Sequence, residues 1–189
     1  MIYIGIDPGT QGGVAVIKDN NPPFIFPLKT YKTFLKTKTK NGNRKARNEL
    51  DVDALVTDIY EATDVHPSMW NLMIKVCIEK LTQAGGKFAD STGQLMKNYG
   101  RLLAVFEIHG VELIHPTPQA WQKWCEANMS LKARARATLS DEKKSLSIEY
   151  CREKYPELDL TLGVKRKTTP HDGCADAVVL CEYLKESEV

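Results

Sequence analysis

Apolar residues recur along this chain with two different periods, and the switch between them separates strands from helices. Ile2, Ile4 and Ile6 with Tyr3 form a short run that reads as a buried strand. It ends abruptly in one carboxylate, Asp7, where Pro8 and Gly9 stop the strand and turn the chain. Gly12 and Gly13 let the backbone fold back into a second apolar run over 14–17, so a hairpin is expected with Asp7 at the end of a rigid strand. Pro22 and Pro23 break the pattern, and Phe24 to Phe26 with Leu28 read as a third strand. Over 50–60 the spacing of Val52, Leu55, Val56 and Ile59 predicts a helix with acids on its other face, closed by His66 and Pro67. Residues 72–79 predict another strand, which like the first runs into a single acid, Glu79.

A helix follows over about 92–109, with Leu95, Leu102, Leu103, Val105, Phe106 and Ile108 available for its buried side. Residues 111–115 read as a strand stopped by Pro116 and Pro118, and 119–127 as a short helix whose Trp121 and Trp124 belong to the core. The polar, basic stretch 128–140 reads as a loop, 141–154 as a helix ended by Tyr155 and Pro156, and 158–167 as irregular. The last helix is expected over about 170–186, with Ala175, Val178, Val179, Cys181 and Leu184 facing inward. Strands early and strands alternating with helices later, without repeats, predict one α/β domain over 1–189.

Composition changes this picture in three ways. With 42% hydrophobic and 26% charged residues the chain can bury a core, which excludes a disordered protein. No apolar run approaches the roughly 20 residues that cross a bilayer, and Met1 runs straight into the first strand, so no membrane association, no secretory leader and a cytoplasmic location are expected. Five scattered cysteines without a close pair predict reduced thiols rather than a zinc site.

The net charge is only +2, but it is segregated. Residues 29–47 carry eight Lys and Arg and no acid, in an extended stretch or long hairpin tip around Asn41 and Gly42. Basic groups recur at Lys132, Arg134 and Arg136, at Lys143 and Lys144, and at Lys165 to Lys167. Such clustering suits contact with a polyanion.

The acids carry the candidate chemistry. The last helix opens with Thr168-Thr-Pro-His-Asp-Gly-Cys-Ala-Asp176, which puts Asp172 and Asp176 four apart on one face. Thr169 and Asp172, with Pro170 between them, have the form of a capping box, an ordinary structural reason for Asp172. Asp176 has none, because Ala177-Val178-Val179 places it at the edge of the buried stripe. His171 is open to three roles: ligand, proton shuttle or first-turn residue. Two strand-end acids and two helix acids are the hard oxygen donors that Mg²⁺ or Mn²⁺ takes. Two such ions about 3.5–4 Å apart serve phosphodiester hydrolysis. The sequence has no GxSxG elbow, Walker loop, GxGxxG or HExxH, so no nucleotide cofactor is expected.

Four blocks in order, IGIDPGTQGGVAVI, IKVCIEK, GGKFADSTGQLMKNYGRL and HDGCADAVVL, together resemble the RuvC family of Holliday junction resolvases, its phage and prophage branch above all. The resemblance implies an RNase H-like fold, a mixed five-stranded sheet with helices on both faces and acids at strand ends. It further implies a homodimer in a bacterial or phage-infected cell that nicks two opposed strands of a four-way DNA junction. Two Mg²⁺ or Mn²⁺ ions and in-line attack by water, without a covalent enzyme intermediate, belong to the same expectation.

Carried over by the resemblance, Asp7 matches the first acid, Glu79 the second and Asp176 the last. Many relatives place an Asp or His three residues before that last acid, where this chain has Gly173. Asp172 is then expected as fourth catalytic and metal ligand, with His171 as the other candidate. An aromatic often follows the second acid; here Thr82 stands in its place, so Phe88, beside Lys87, is expected to wedge into the junction. Lys143 and Lys144 are similar to positions that steady the scissile phosphate. The 29–48 stretch, with Lys36, Lys38, Lys40 and Arg44, looks like an added DNA arm. A flap or broader branched-DNA endonuclease of the same fold is the nearest alternative, followed by a junction-binding protein that does not cut. An actin-like ATPase or sugar kinase also runs from its first strand into Asp-x-Gly-Thr, but it needs a second domain for which this chain is too short.

Overall fold

Strand β1 (Ile2–Asp7) lies at the centre of a five-stranded mixed sheet in the computed structural model. The structure describes residues 1–9, 11–38, 42, 44–81, 89–139, 145–163 and 169–187, and the backbone alone at 36–38, 45, 89–91 and 145. Strand β2 (Gly13–Lys18) returns antiparallel to β1 with Asp7 opposite Gly13, and β3 (Phe24–Pro27) is antiparallel to β2. The chain then leaves the sheet as a separate hairpin, β4 (Thr30–Lys38) and β5 (Arg44–Leu50). It comes back as β6 (Ile74–Ile78), parallel to β1, and β7 (Leu113–Ile114), parallel to β6. The order β3-β2-β1-β6-β7 is the mixed five-stranded sheet that the RNase H-like expectation requires.

Alternation along β1 and β6 divides the core into two layers. Ile2, Ile4 and Ile6 with Ile74, Val76 and Ile78 pack against Leu55 and Ile59 of α1 (Val52–Thr63). A four-residue helix, α2 (Trp70–Met73), precedes β6, and Leu102, Val105 and Phe106 of α3 (Ala89–Ile108) complete this layer. The opposite face, with Tyr3 and Cys77, meets four further helices in whole or in part: α4 (Pro118–Ala127), α5 (Leu131–Leu139), α6 (Ser145–Lys154) and α7 (Asp172–Ser187). Helix α7 lies directly on β1. A Cβ at Gly5 would sit 2.1 Å from the Ala177 carbonyl oxygen and 2.4 Å from the Cys181 nitrogen, so only glycine admits the helix backbone there.

Several boundaries differ from expectation for identifiable reasons. Leu50 belongs to β5, and α1 starts only at Val52 because Asp51 caps it, its Oδ1 accepting the Ala54 N–H at 3.0 Å. Leu72 and Met73 are helical and exposed, since Trp70 is buried and its indole N–H donates to the Val65 carbonyl at 3.0 Å, pinning a turn ahead of the strand. Ile108, expected in the core, is 80% exposed at the end of α3. Helix α5 occupies the stretch read as a loop; Ser130 Oγ accepts the Ala133 N–H, and only Ala133 is buried, so no apolar period marks it.

All five cysteines are free and buried, as expected of structural thiols. Burial, helped by the charge of Glu79, pushes Cys77 up to about 12, which keeps it protonated. No described helix is long and apolar enough to cross a membrane.

The hairpin is anchored at its base. Glu49 pairs with Lys97 at 2.8 Å and Arg101 at 2.6 Å on α3, while the Asn98 side chain accepts the Leu50 N–H and donates to the Asn48 carbonyl. The hydrogen bond from Lys97, then the charge of Arg101, hold the Glu49 carboxyl below its ordinary 4.5. A lowered folded value means that this anchor contributes above the ordinary value and is lost as pH falls through the lowered one. Glu49→Gln is therefore expected to speed amide exchange in β4 and β5 at neutral pH. The difference from the parent should vanish in acid, as exchange measured at both pH values will show.

Candidate active site

Asp7 and Glu79 are brought level by the parallel pairing of β1 with β6. Ile6 is opposite Ile78, and the Glu79 N–H extends the ladder to the Ile6 carbonyl at 3.2 Å. The two acids thus stand at the carboxyl ends of adjacent strands, with strand axes about 4.8 Å apart. Parity gives them the same face: Ile6 and Ile78 point to the α1–α3 layer, so Asp7 and Glu79 point toward α7. Asp7 is buried, with 5% of its surface exposed, and its Oδ1 accepts the Gly9 N–H at 3.0 Å. The turn bond available to any Asp-Pro-Gly sequence is therefore present, and it engages one carboxylate oxygen. Glu79 is half-buried.

The start of α7 closes over this pair. Gly12 and Gly173 form a backbone bridge, and a Cβ at Gly173 would meet the Gln11 carbonyl oxygen at 2.2 Å and Asp7 Oδ2 at 3.0 Å. Gly173, three residues before Asp176, is thus a backbone contact pressed against Asp7. His171 Nδ1 accepts the Cys174 N–H at 3.1 Å, its carbonyl accepts the Ala175 N–H, and its own N–H donates to the Leu160 carbonyl. His171 is the N-cap. Thr169 and Pro170 lie outside the helix, and the expected capping box between Thr169 and Asp172 is replaced by this cap. A neutral imidazole accepting at Nδ1 carries its proton on Nε2, so it offers no second acceptor to a cation while it caps.

Asp172 opens the helix with Oδ1 accepting the Gly173 N–H at 2.9 Å. Asp176, one turn on, is 7% exposed, and Ser147 of α6 donates its hydroxyl to Oδ1 at 2.5 Å. Ser147 went unnoticed in the sequence, where it is one polar residue in a helix without a clear apolar period.

The four acids named from the sequence therefore belong to elements that meet at one end of the sheet, Asp7 and Glu79 at strand ends, Asp172 at the start of α7 and Asp176 one turn further on. Among the described residues, no three His, Cys, Asp or Glu side chains close on one point as a preformed metal cage. The donor set nevertheless fits Mg²⁺ or Mn²⁺, which is commonly held by one or two carboxylates and completes its shell with water and substrate phosphate. Asp7 and Glu79 supply such a pair, all oxygen and without a competing thiolate. Lys40, Lys87, Phe88, Lys143 and Lys144 lie outside the described residues, as does Thr82. Lys36 and Lys38 are placed on β4 by backbone only, and Arg44 is exposed at the start of β5.

No family model matches this chain, and no curated protein matches it significantly. Solved structures similar to it include the following two. Both are RuvC from Thermus thermophilus. One, at 15% identity and a TM-score of 0.46, covers 99% of this chain and 97% of its own. The other, RuvC in complex with a Holliday junction substrate, is 15% identical with a TM-score of 0.43, covering 96% and 90%.

Proposed function

We propose that this chain is a divalent-metal-dependent endonuclease that resolves four-way DNA junctions, with 1–189 acting as one nuclease domain and two copies nicking opposed strands symmetrically. The observation that carries the reading is the pair Asp7 and Glu79, level on adjacent parallel strands beneath a helix that adds Asp172 and the buried Asp176. A bound Mg²⁺ or Mn²⁺ would supply a more acidic water and neutralise charge on the scissile phosphate. In that role Asp7 and Glu79 would hold the cation from the sheet, and Asp172 would complete the set in preference to His171, whose Nδ1 is committed to the helix cap. Ser147 holds the Asp176 carboxylate in one position through its hydroxyl. The rigidity of strand ends and a capped helix suits a reaction in which positioning and charge stabilisation set the rate. Four intact acids in this arrangement favour cutting over binding alone.

The test is cleavage of a synthetic four-way junction with Mg²⁺ or Mn²⁺, beside flap, linear duplex and RNA–DNA hybrid substrates. Paired symmetric nicks on the junction are expected. Dominant flap or hybrid cutting would replace junction resolution with a broader nuclease of the same site, and binding without cutting in either metal would overturn the enzyme reading.

A further inference from the structure

The β4–β5 hairpin has two unlike faces. Cross-strand pairs run from Thr30–Leu50 through Tyr31–Glu49, Lys32–Asn48 and Thr33–Arg47 to Phe34–Ala46. Glu49 belongs to the face held against α3, and Arg101 also donates to the Tyr31 hydroxyl. The other face presents Lys32, Phe34, Arg44, Ala46 and Asn48, every one exposed. Lysines on an exposed ribbon have an ordinary explanation, since they discourage edge-to-edge pairing. Phe34 does not: an aromatic ring 62% exposed in the middle of that face works against the same purpose. A ring flanked by cations, in a stretch with eight basic residues and no acid, matches a stack of bases bounded by phosphates.

The root of the hairpin supports the match. Pro27 pairs with Gly13, Leu28 donates to the Gly12 carbonyl, and Gly13 is opposite Asp7. The Asp51 N–H closes the base onto the Lys29 carbonyl. The arm thus leaves the sheet two strands from Asp7, at the end where the acids stand, and Phe34 lies four residues, about 13 Å, along it. Its clamp to α3 fixes this direction before any ligand arrives, which lowers the ordering cost of binding.

We propose that this hairpin is a branch-reading arm, in which Phe34 stacks on a base exposed at the junction crossover while Lys32 and Arg44 contact the flanking phosphates. The proposal rests on the junction reading above and is tested apart from cleavage, by equilibrium binding in EDTA to a four-way junction carrying 2-aminopurine at the crossover and to a linear duplex. Phe34→Ala should weaken junction binding on the order of 10-fold and abolish the change in 2-aminopurine fluorescence, with duplex binding unchanged. Phe34→Trp should retain both signals, and Lys32→Ala with Arg44→Ala should lower the salt dependence on both DNAs by about two phosphate contacts. Because Phe34 is exposed, circular dichroism should be the same for all variants. Unaltered junction affinity in Phe34→Ala, or equal loss on junction and duplex, would overturn the arm while leaving the nuclease reading intact. Failure of the parent protein to bind the junction would overturn both.

Discussion

Asp7→Asn is expected to reduce cleavage by roughly 10³-fold or more while leaving junction binding within about twofold. Asparagine keeps the shape of the side chain, and its carbonyl oxygen can still accept the Gly9 N–H, so the turn after β1 survives. What is lost is one negative charge, in a place where a neutral group cannot balance a cation and a scissile phosphate together. Affinity is expected to persist because exposed Lys and Arg side chains supply most of it. The stability consequence runs the other way. Asp7 is almost fully buried, where a carboxylate carries a desolvation cost that a neutral amide does not. The variant should melt at the same temperature as the parent in EDTA, or higher. Added Mg²⁺ should stabilise the parent and not the variant, by the linkage between binding and folding. Metal-dependent cleavage at parental rate in Asp7→Asn, measured under single-turnover conditions, would remove Asp7 from the site.

The sequence revealed the strand-end acids because two signals coincided there: a period-two apolar run and its abrupt end at a carboxylate followed by a turn. β1 and β6 were both legible in this way, and with them the strand-end positions of Asp7 and Glu79, while the parallel pairing that brings the two level appeared only in the structure. The helix acids were legible as a face, since Asp172 and Asp176 are one turn apart. Their surroundings were not. Whether a glycine marks a lost ligand or a close backbone contact depends on which element lies against it, and residues 12 and 173 are too far apart in sequence for any local pattern to show it. The same holds for His171, whose ring caps the helix through a bond that Thr169 and Pro170 made look like theirs. Helix α5 escaped because it buries a single alanine, and a helix with one buried side chain has no apolar period to read. The basic stretch was visible as charge, while its two faces appeared only once the register of β4 against β5 fixed which side chains share a side.

Gly173→Asp, which would put a third carboxylate on the first turns of α7, is expected to damage this protein rather than add a ligand. The new Cβ would lie 2.2 Å from a backbone oxygen of Gln11 and 3.0 Å from both Gly12 C and Asp7 Oδ2. A backbone carbonyl cannot swing aside as a flexible side chain can, so α7 must move away from the β1–β2 turn. That movement undoes the Gly12–Gly173 bridge that fixes the start of α7 against the β1–β2 turn, and it adds a second negative charge beside a buried carboxylate. A loss of about 3 kcal/mol or more is expected, which for a chain of this size lowers the melting temperature by roughly 6–12 °C, with cleavage abolished. Gly173→Ala separates the two causes. If steric displacement dominates, alanine should reproduce most of the loss in stability, and Mg²⁺ should rescue neither variant. If charge dominates, alanine should be nearly neutral and Mg²⁺ should restore much of the stability of the aspartate variant. A Gly173→Asp protein as stable as the parent and still cutting junctions would show that α7 can shift at no cost, and the close packing of its first turn would then not be what holds the acids together.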